Sequence, residues 1–351
     1  MNTEALAQLS NLGVASATVV LGVAWLAHLV EWAAAREVRP ARRDRSARPV
    51  VETPVDAALV DAAATTPTGG GSAASVGSAP AAGGAGGGGG GSRAVAGLPL
   101  SRADRFGRVG LSLTVLGAAL LAAALIARGF AAGRVPWGNM YEFAVTGALV
   151  ALLVYLGLVA RAGIEWLAPI VTGFTVVVLG LAILAYVPAG PLVPALDSYW
   201  LVVHVAAAAI AGGAFVIGAG ASALFLVKQR AEQRAGQPIT TGVLGRLPST
   251  VQMDRLAFQV HAFAFPVWTF AALIAGPIWA QYAWGRYWGW DPKEVWAFIT
   301  WVVYASYLHA RATAGWRGTG AAVLALIGFA TFLFNFVGIN LFVSGLHSYA
   351  F

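Results

Sequence analysis

Long apolar runs, separated by short polar or basic stretches, cover most of the chain. Eight of these runs are long enough for a helix that crosses a bilayer, which needs about 20 predominantly apolar residues. The predicted helices cover residues 5–35, 108–130, 140–160, 165–187, 199–227, 256–281, 292–311 and 319–343. The pattern therefore predicts an all-α integral membrane protein with about eight transmembrane helices.

Basic residues cluster at alternate ends of these predicted helices, and arginine and lysine collect on the cytoplasmic side of membranes. The clusters are Arg36–Arg48, Arg102–Arg108, Arg161, Lys228–Arg234 and Arg311–Arg317. With eight helices, every basic cluster lies on the same side of the membrane. We therefore expect both termini to be extracytoplasmic, together with the loops at residues 131–141, 188–197 and 281–295.

Composition agrees with a membrane protein, since 58% of the 351 residues are hydrophobic, 11% are charged and the mean hydropathy is +0.72. A net charge of +7 would suit a nucleic-acid partner in a soluble protein. Here the arginines lie beside apolar spans, so they indicate topology and we expect no nucleic-acid partner. The chain has no cysteine, which excludes disulfides and thiol chemistry of its own.

A stretch rich in proline, alanine, serine and glycine separates the first predicted helix from the others and contains the unbroken run Gly86–Gly91. Such a composition cannot bury a core. We predict an N-terminal transmembrane helix in residues 1–38, a disordered cytoplasmic linker in residues 39–105, and a membrane domain in residues 106–351.

The loop between the sixth and seventh predicted helices, residues 281–295, is called the Trp loop below. Its large side chains are Trp284, Arg286, Tyr287, Trp288 and Trp290. Tryptophan and tyrosine collect at membrane interfaces without binding a ligand. Here, however, Gly285 and Gly289 allow rings and backbone to approach closely. Asp291 then starts the next helix as an N-cap, which is a more ordinary role for it than contact with a ligand. The spacing of Trp288 and Trp290 would put both rings on one face of an extended loop.

Two histidines share the predicted outer face with the Trp loop. His204 lies about 8 Å below the outer end of the fifth helix, at 1.5 Å per residue, and His347 follows the last helix. Two imidazoles beside an aromatic shelf suit bis-histidine ligation of haem iron. The alternative is that each is a neutral imidazole bonded to a neighbouring helix.

His309 lies about 25 Å along the seventh helix. An ionisable group inside a membrane is a candidate for function, although a structural role is the alternative, and no other histidine lies clearly at its depth. His28 and His261 also lie near inner helix ends, where we expect structural or snorkelling roles; the alternative is that one of them pairs with His309.

Residues 284–294, followed by Trp296, Trp301, Tyr304 and the run Tyr307–Arg311, closely resemble the tryptophan-rich "WWD" signature of the CcsA/ResC family. Residues 198–205, 335–348 and 136–142 give supporting matches, so the resemblance covers about residues 106–351. These are haem-handling proteins of cytochrome c biogenesis, and some members are called CcsB.

The resemblance implies that His204 and His347 are the axial ligands of an outer haem b that lies on the Trp loop. It also implies that His309 shares an inner haem site with a histidine of a ResB/CcsB-type partner. The candidate haem contacts are Trp284, Arg286, Tyr287, Trp288, Trp290 and Asp291. Arg286 could bind a haem propionate, or it could be an ordinary interfacial arginine.

The resemblance implies the haem-handling subunit of a two-protein cytochrome c synthase, the ResB/ResC or system II type, in a bacterial plasma membrane. Haem would be presented to the Cys-x-x-Cys-His segment of an apocytochrome c, and other proteins would keep its thiols reduced. Two alternatives remain. One is a haem exporter without a role in attachment, and the other is a cytochrome b-type subunit that retains its haems for electron transfer.

Overall fold

The computed structural model describes residues 2–34 and 101–347, and helices dominate both ranges. The helices are α1 (Thr3–Ala34), α2 (Arg102–Ala132), α3 (Met140–Ala162), α4 (Ala168–Leu184), α5 (Tyr199–Ala235), α6 (Gly242–Arg246), α7 (Thr250–Phe270), α8 (Gly276–Trp284), α9 (Pro292–Ala312), α10 (Thr319–Leu333) and α11 (Ile339–Phe342). These bounds follow the predicted apolar runs closely. The predicted linker lies outside the described residues up to residue 100.

In the described ranges, seven helical segments are long and apolar enough to cross a membrane, which confirms an all-α membrane protein. The seventh predicted span corresponds to α9, which is not among these seven. Its 21 residues reach about 31 Å, long enough for a bilayer. Tryptophan, tyrosine and charged residues lower the hydropathy of α9. Its role as an eighth span, and the outward orientation of both termini, stay predictions.

Two of the long segments contain a wider, π-helical turn. Residues Ala271–Ala275 join α7 to α8, and residues Phe334–Gly338 join α10 to α11. Each turn carries a backbone carbonyl or side chain that is used at the candidate site described below. Single π-helical turns inside α-helices frequently occur at functional sites.

Helix α5 lies at the centre of the bundle and packs against α3, α7 and α10. Every residue from 211 to 222 is buried, and most of them are glycine or alanine. Small residues let membrane helices approach closely, so van der Waals packing can hold the bundle together. Phe215 provides the main aromatic contact of this core, since its ring stacks on Tyr304 at a centroid distance of 4.0 Å.

His28 and His261 each pack against a glycine of a neighbouring helix. A Cβ added at Gly110 would clash with the ring of His28, and one at Gly218 would clash with the ring of His261. The Nε2 atom of His28 also lies 3.4 Å from the hydroxyl of Thr114 on α2. These contacts fit the structural roles expected for both histidines.

A buried ion-pair network fixes one end of α2 and α3. Arg128 donates to the Glu142 carboxylate at 2.9 Å, and Arg134 donates to its other oxygen at 2.8 Å. Arg128 also donates to the carbonyl of Val187 and Arg134 to that of Gly190, so the segment after α4 is held too. Glu142 is completely buried and Arg128 is 1% exposed. The network therefore places one buried and one partly buried guanidinium group around a buried carboxylate.

We expect Glu142→Gln to destabilise the protein by about 3 kcal/mol or more, because it leaves the buried guanidinium of Arg128 and the partly buried one of Arg134 without a counter-charge. The measurement is the thermal unfolding midpoint of the purified protein in detergent. Asp104→Asn is the matched control. It removes a carboxylate that pairs with Arg246 at the surface, where an ion pair contributes little. Equal shifts in the two variants would contradict this account.

Candidate functional site

A cavity of about 580 Å³ lies at the end of the bundle that carries the Trp loop. That volume is within the range of about 300–1,000 Å³ typical of small-molecule sites. Apolar side chains of α3, α4, α5, α8, α9 and α10 form most of its wall. Its wall also contains polar and aromatic residues, among them His204, Trp279, Trp284, Trp288, Lys293, Glu294, Asn335, Asn340 and His347. The structure thus brings together both histidines that the sequence predicts as a ligand pair.

His204 lies in the second turn of α5 and is oriented by the π-helical turn after α7. Its Nδ1 atom lies 2.9 Å from the carbonyl oxygen of Ala271. The same carbonyl accepts the N–H of Gly276 across the wider turn. Since Nδ1 must carry the proton in such a bond, Nε2 keeps the lone pair that can bind a metal.

His347, after α11, is oriented by Asp291 at the start of α9. The Nδ1 atom of His347 lies 2.8 Å from Asp291 Oδ2, and the N–H of Leu346 donates to Oδ1 at 2.7 Å. Asp291 is also the N-cap of α9, as predicted, and accepts the N–H of Lys293. The link from Asp291 to His347 was not predicted, because it joins residues 56 positions apart.

The charges of this pair follow from burial and hydrogen bonding. Burial opposes the negative charge of Asp291, but the hydrogen bonds from His347 and Leu346 outweigh it, so the pKa of Asp291 falls below its ordinary value. Burial also lowers the pKa of His347, more than Asp291 raises it. Near neutral pH we therefore expect a carboxylate that accepts a hydrogen bond from a neutral imidazole. This arrangement resembles the carboxylate–histidine pairs that orient metal ligands.

Trp279 contacts both histidines, and sequence reasoning did not identify it. Its ring stacks on His204 at a centroid distance of 5.9 Å and lies 5.7 Å from the ring of His347. The residue is 2% exposed, and its indole N–H donates to the carbonyl of Ala195 at 2.9 Å. Because Trp279 falls inside an apolar span, nothing in the sequence distinguishes it from a core tryptophan.

Two tryptophans of the Trp loop line the cavity. Trp284 meets His347 edge to face at 4.9 Å, and Trp288 is partly buried beside it in the wall. The indole N–H of Trp288 and the carboxamide oxygen of Asn335 are buried without a hydrogen-bond partner among the described residues. Both residues line the cavity, although these two polar atoms are themselves shielded from solvent.

The remaining predicted residues of the loop are more exposed. Trp290 has a positive φ of 56°, so the loop is not extended there, although the predicted shared face of two rings assumed an extended loop. Its ring contacts Trp288 edge to face at 5.7 Å but is 66% exposed. Arg286 and Tyr287 are also exposed and do not line the cavity, with the guanidinium of Arg286 close to Gly289.

His309 lies on α9, about 25 Å along the helix from Pro292 at 1.5 Å per residue. Its side chain is exposed and does not line the cavity. The structure therefore separates His309 from the pair formed by His204 and His347. The depth of His309 in a membrane stays a prediction.

Lys293 and Asn340 form a polar contact in the cavity wall that sequence reasoning also missed. The ammonium of Lys293 donates to the Asn340 carboxamide oxygen at 2.9 Å. The carboxamide nitrogen of Asn340 donates in turn to the carbonyl of Phe336 and contacts the sulfur of Met140. The sequence predicts Lys293 only as part of the start of the helix.

Comparison with known proteins identifies the family of this chain. The family described as Cytochrome C assembly protein matches residues 137–347. A protein of Synechococcus sp. (strain CC9902) named cytochrome c biogenesis protein CcsA is 36% identical over 257 residues, covering 66% of this chain and 83% of the relative. A CcsA of Guillardia theta is 32% identical over 272 residues, covering 72% and 89%. The chain therefore belongs to the CcsA family of cytochrome c biogenesis proteins.

Proposed function

We propose that this protein binds haem b in the cavity and presents it at the outer membrane face for covalent attachment to apocytochrome c. The observation that carries the proposal is the pair His204 and His347. Both line one cavity, and each is held through Nδ1 by a protein acceptor. That arrangement leaves Nε2 as the ligating atom of both rings, which suits two axial ligands on one iron.

The wall of the cavity also fits a porphyrin. It is largely apolar, and Trp279, Trp284 and Trp288 supply flat surfaces beside the histidines. In this proposal haem is the cargo, and its vinyl groups supply the chemistry of thioether formation. The protein binds the macrocycle, orients it and limits access by water. With no cysteine in the chain, the thiols come from the Cys-x-x-Cys-His segment of the apocytochrome and are kept reduced by other proteins.

We further propose that His309 serves an inner haem site that is completed by a partner. Its imidazole is exposed on α9, far from the cavity, as expected for a residue that faces another protein. A membrane protein of the ResB/CcsB type would supply the second histidine. Together the two proteins would form a system II cytochrome c synthase in a bacterial plasma membrane, with the Trp loop on the extracytoplasmic side.

The first prediction concerns the paired ligands. His204→Gly and His347→Gly should each abolish cytochrome c formation when the partner is co-expressed, because one axial ligand is lost. Added imidazole should restore part of the activity by filling the vacated position. The measurement is covalent haem staining of a reporter cytochrome c in a host without its own system. Full activity of either variant without imidazole would disprove the assignment.

The second prediction concerns Asp291 as the residue that positions His347. Asp291→Asn keeps one acceptor oxygen for the cap, but it cannot accept from Leu346, Lys293 and His347 as the carboxylate does. We expect haem affinity to fall about 10–100-fold, the range seen when partners of metal ligands are removed. Asp291→Ala should be more severe, because it also removes the cap.

Asp197→Asn is the matched control for this prediction, since Asp197 is exposed near the start of α5. Haem titrations of the three purified variants, followed by absorbance, provide the comparison. If Asp291→Asn bound haem like the control, the carboxylate would not position His347.

The third prediction concerns the inner site. His309→Ala should give a protein of normal abundance, because the side chain is exposed, while haem at both sites should fall if the inner site feeds the outer one. Ser306→Ala, at another exposed position of α9, is the control. Haem per purified complex is measured with the partner co-expressed. Normal outer haem in His309→Ala would refute the feeding route.

A further inference from the structure

Lys293 is a cation in the cavity that the two-histidine arrangement does not use. It is the second residue of α9, and its side chain lines the same cavity as His204 and His347. The ammonium has three donor hydrogens. One of them is directed to the neutral carboxamide oxygen of Asn340 at 2.9 Å. Lys293 therefore brings positive charge to a wall that is otherwise mostly apolar.

The neighbouring carboxylates accept hydrogen bonds from groups other than the ammonium of Lys293. Among the described residues, none lies within ion-pair distance of Lys293. Asp291 accepts from Leu346 and His347, and Glu294 accepts the backbone N–H groups of Gly289 and Asp291. A charged group enclosed by apolar walls is costly unless an opposite charge compensates it. An anionic group of the molecule in the cavity would provide that charge.

We propose that Lys293 binds a carboxylate of the bound porphyrin and forms the anion subsite of the cavity. This inference rests on the proposed function, since it assumes that haem is the molecule in the cavity. Haem b carries ionised propionates, and a lysine is well suited to pair with one as a compact point charge. Trp288 lines the same cavity, and its buried indole N–H has no partner among the described residues.

The subsite has a consequence for orientation. The propionates and the vinyl groups lie at different edges of the macrocycle, so a fixed propionate determines which edge the vinyl groups occupy. Axial ligation alone does not do this, because two imidazoles leave the macrocycle free to rotate about the axis that joins them. Lys293 would therefore contribute the in-plane alignment that thioether formation requires.

Arg286 is the competing cation, since it is also close to Trp288 in the sequence. It is exposed and does not line the cavity, whereas Lys293 is part of the wall. A guanidinium at the surface already has water as its partner, so it gains less from an ion pair than the enclosed ammonium does. The difference in exposure favours Lys293 as the residue that binds the propionate. Arg286 is the alternative that the experiment tests beside it.

The test compares haem with haem dimethyl ester, which has the same iron and ring but no propionate charge. Affinities of both for the purified full chain are measured by absorbance titration. We expect Lys293→Met to weaken haem binding about tenfold or more and to leave ester binding unchanged, because a charged hydrogen bond is lost. Lys293→Arg should recover part of the haem affinity. Arg161→Met, at an exposed position of α3, is the control for a general loss of positive charge.

The variants separate this inference from the function on which it rests. If His347→Gly bound both ligands like the unmodified protein, the proposed haem site itself would fail. A second outcome overturns only the anion subsite. In it, His347→Gly loses affinity for both haem and ester, whereas Lys293→Met has the same ratio of haem to ester affinity as the unmodified protein. A selective loss of haem in Arg286→Met, with none in Lys293→Met, would place the subsite in the loop and also overturn the inference.

Discussion

A single carboxylate, that of Asp291, joins the parts of the chain that form the candidate site. It caps α9 through the N–H of Lys293 and binds the C-terminal segment through Leu346 and His347. Asp291 also belongs to the Trp loop and lies directly before α9. Burial makes these bonds consequential, because a carboxylate shielded from water must have its lone pairs satisfied. The position of His347 therefore depends on the same group that starts the helix.

The orientation of His204 depends on the π-helical turn that follows α7. The π-helical turn at Ala271–Ala275 presents the Ala271 carbonyl, which both Gly276 and His204 use. A second such turn carries Asn335 into the cavity wall, and Asn340 follows it in α11. The two imidazoles are thus each held by an acceptor of the protein itself. If haem binds there as proposed, both candidate ligands are already oriented by the protein before it enters.

The hydrophobic pattern predicted most of the fold, because a membrane helix must satisfy its backbone internally and has a length set by the bilayer. Helices α3, α5 and α9 begin at or next to the predicted positions. The histidine pair and the Trp loop were also visible, since polar and aromatic residues stand out against apolar runs. Whether these residues bind haem stays a prediction that the experiments above can test.

Other parts of the site could not be predicted because they arise from tertiary contacts. Trp279 looks like any core tryptophan until α5 brings His204 beside it. The positive φ of Trp290 depends on how the loop closes between α8 and α9. The link from Asp291 to His347 and the place of Lys293 in the wall both require that the C-terminal segment return to the start of α9. Only hydrophobic periodicity and local capping can be read from neighbouring positions in the chain.

The central claim is that His204 and His347 bind one haem iron in the cavity. Near-infrared magnetic circular dichroism of the oxidised, haem-loaded protein tests it most directly, because the spectrum identifies the pair of axial ligands. The account predicts a bis-imidazole spectrum that is lost in His204→Gly and in His347→Gly and regained with imidazole. A different ligand pair in the unmodified protein, or an unchanged spectrum in either variant, would contradict it.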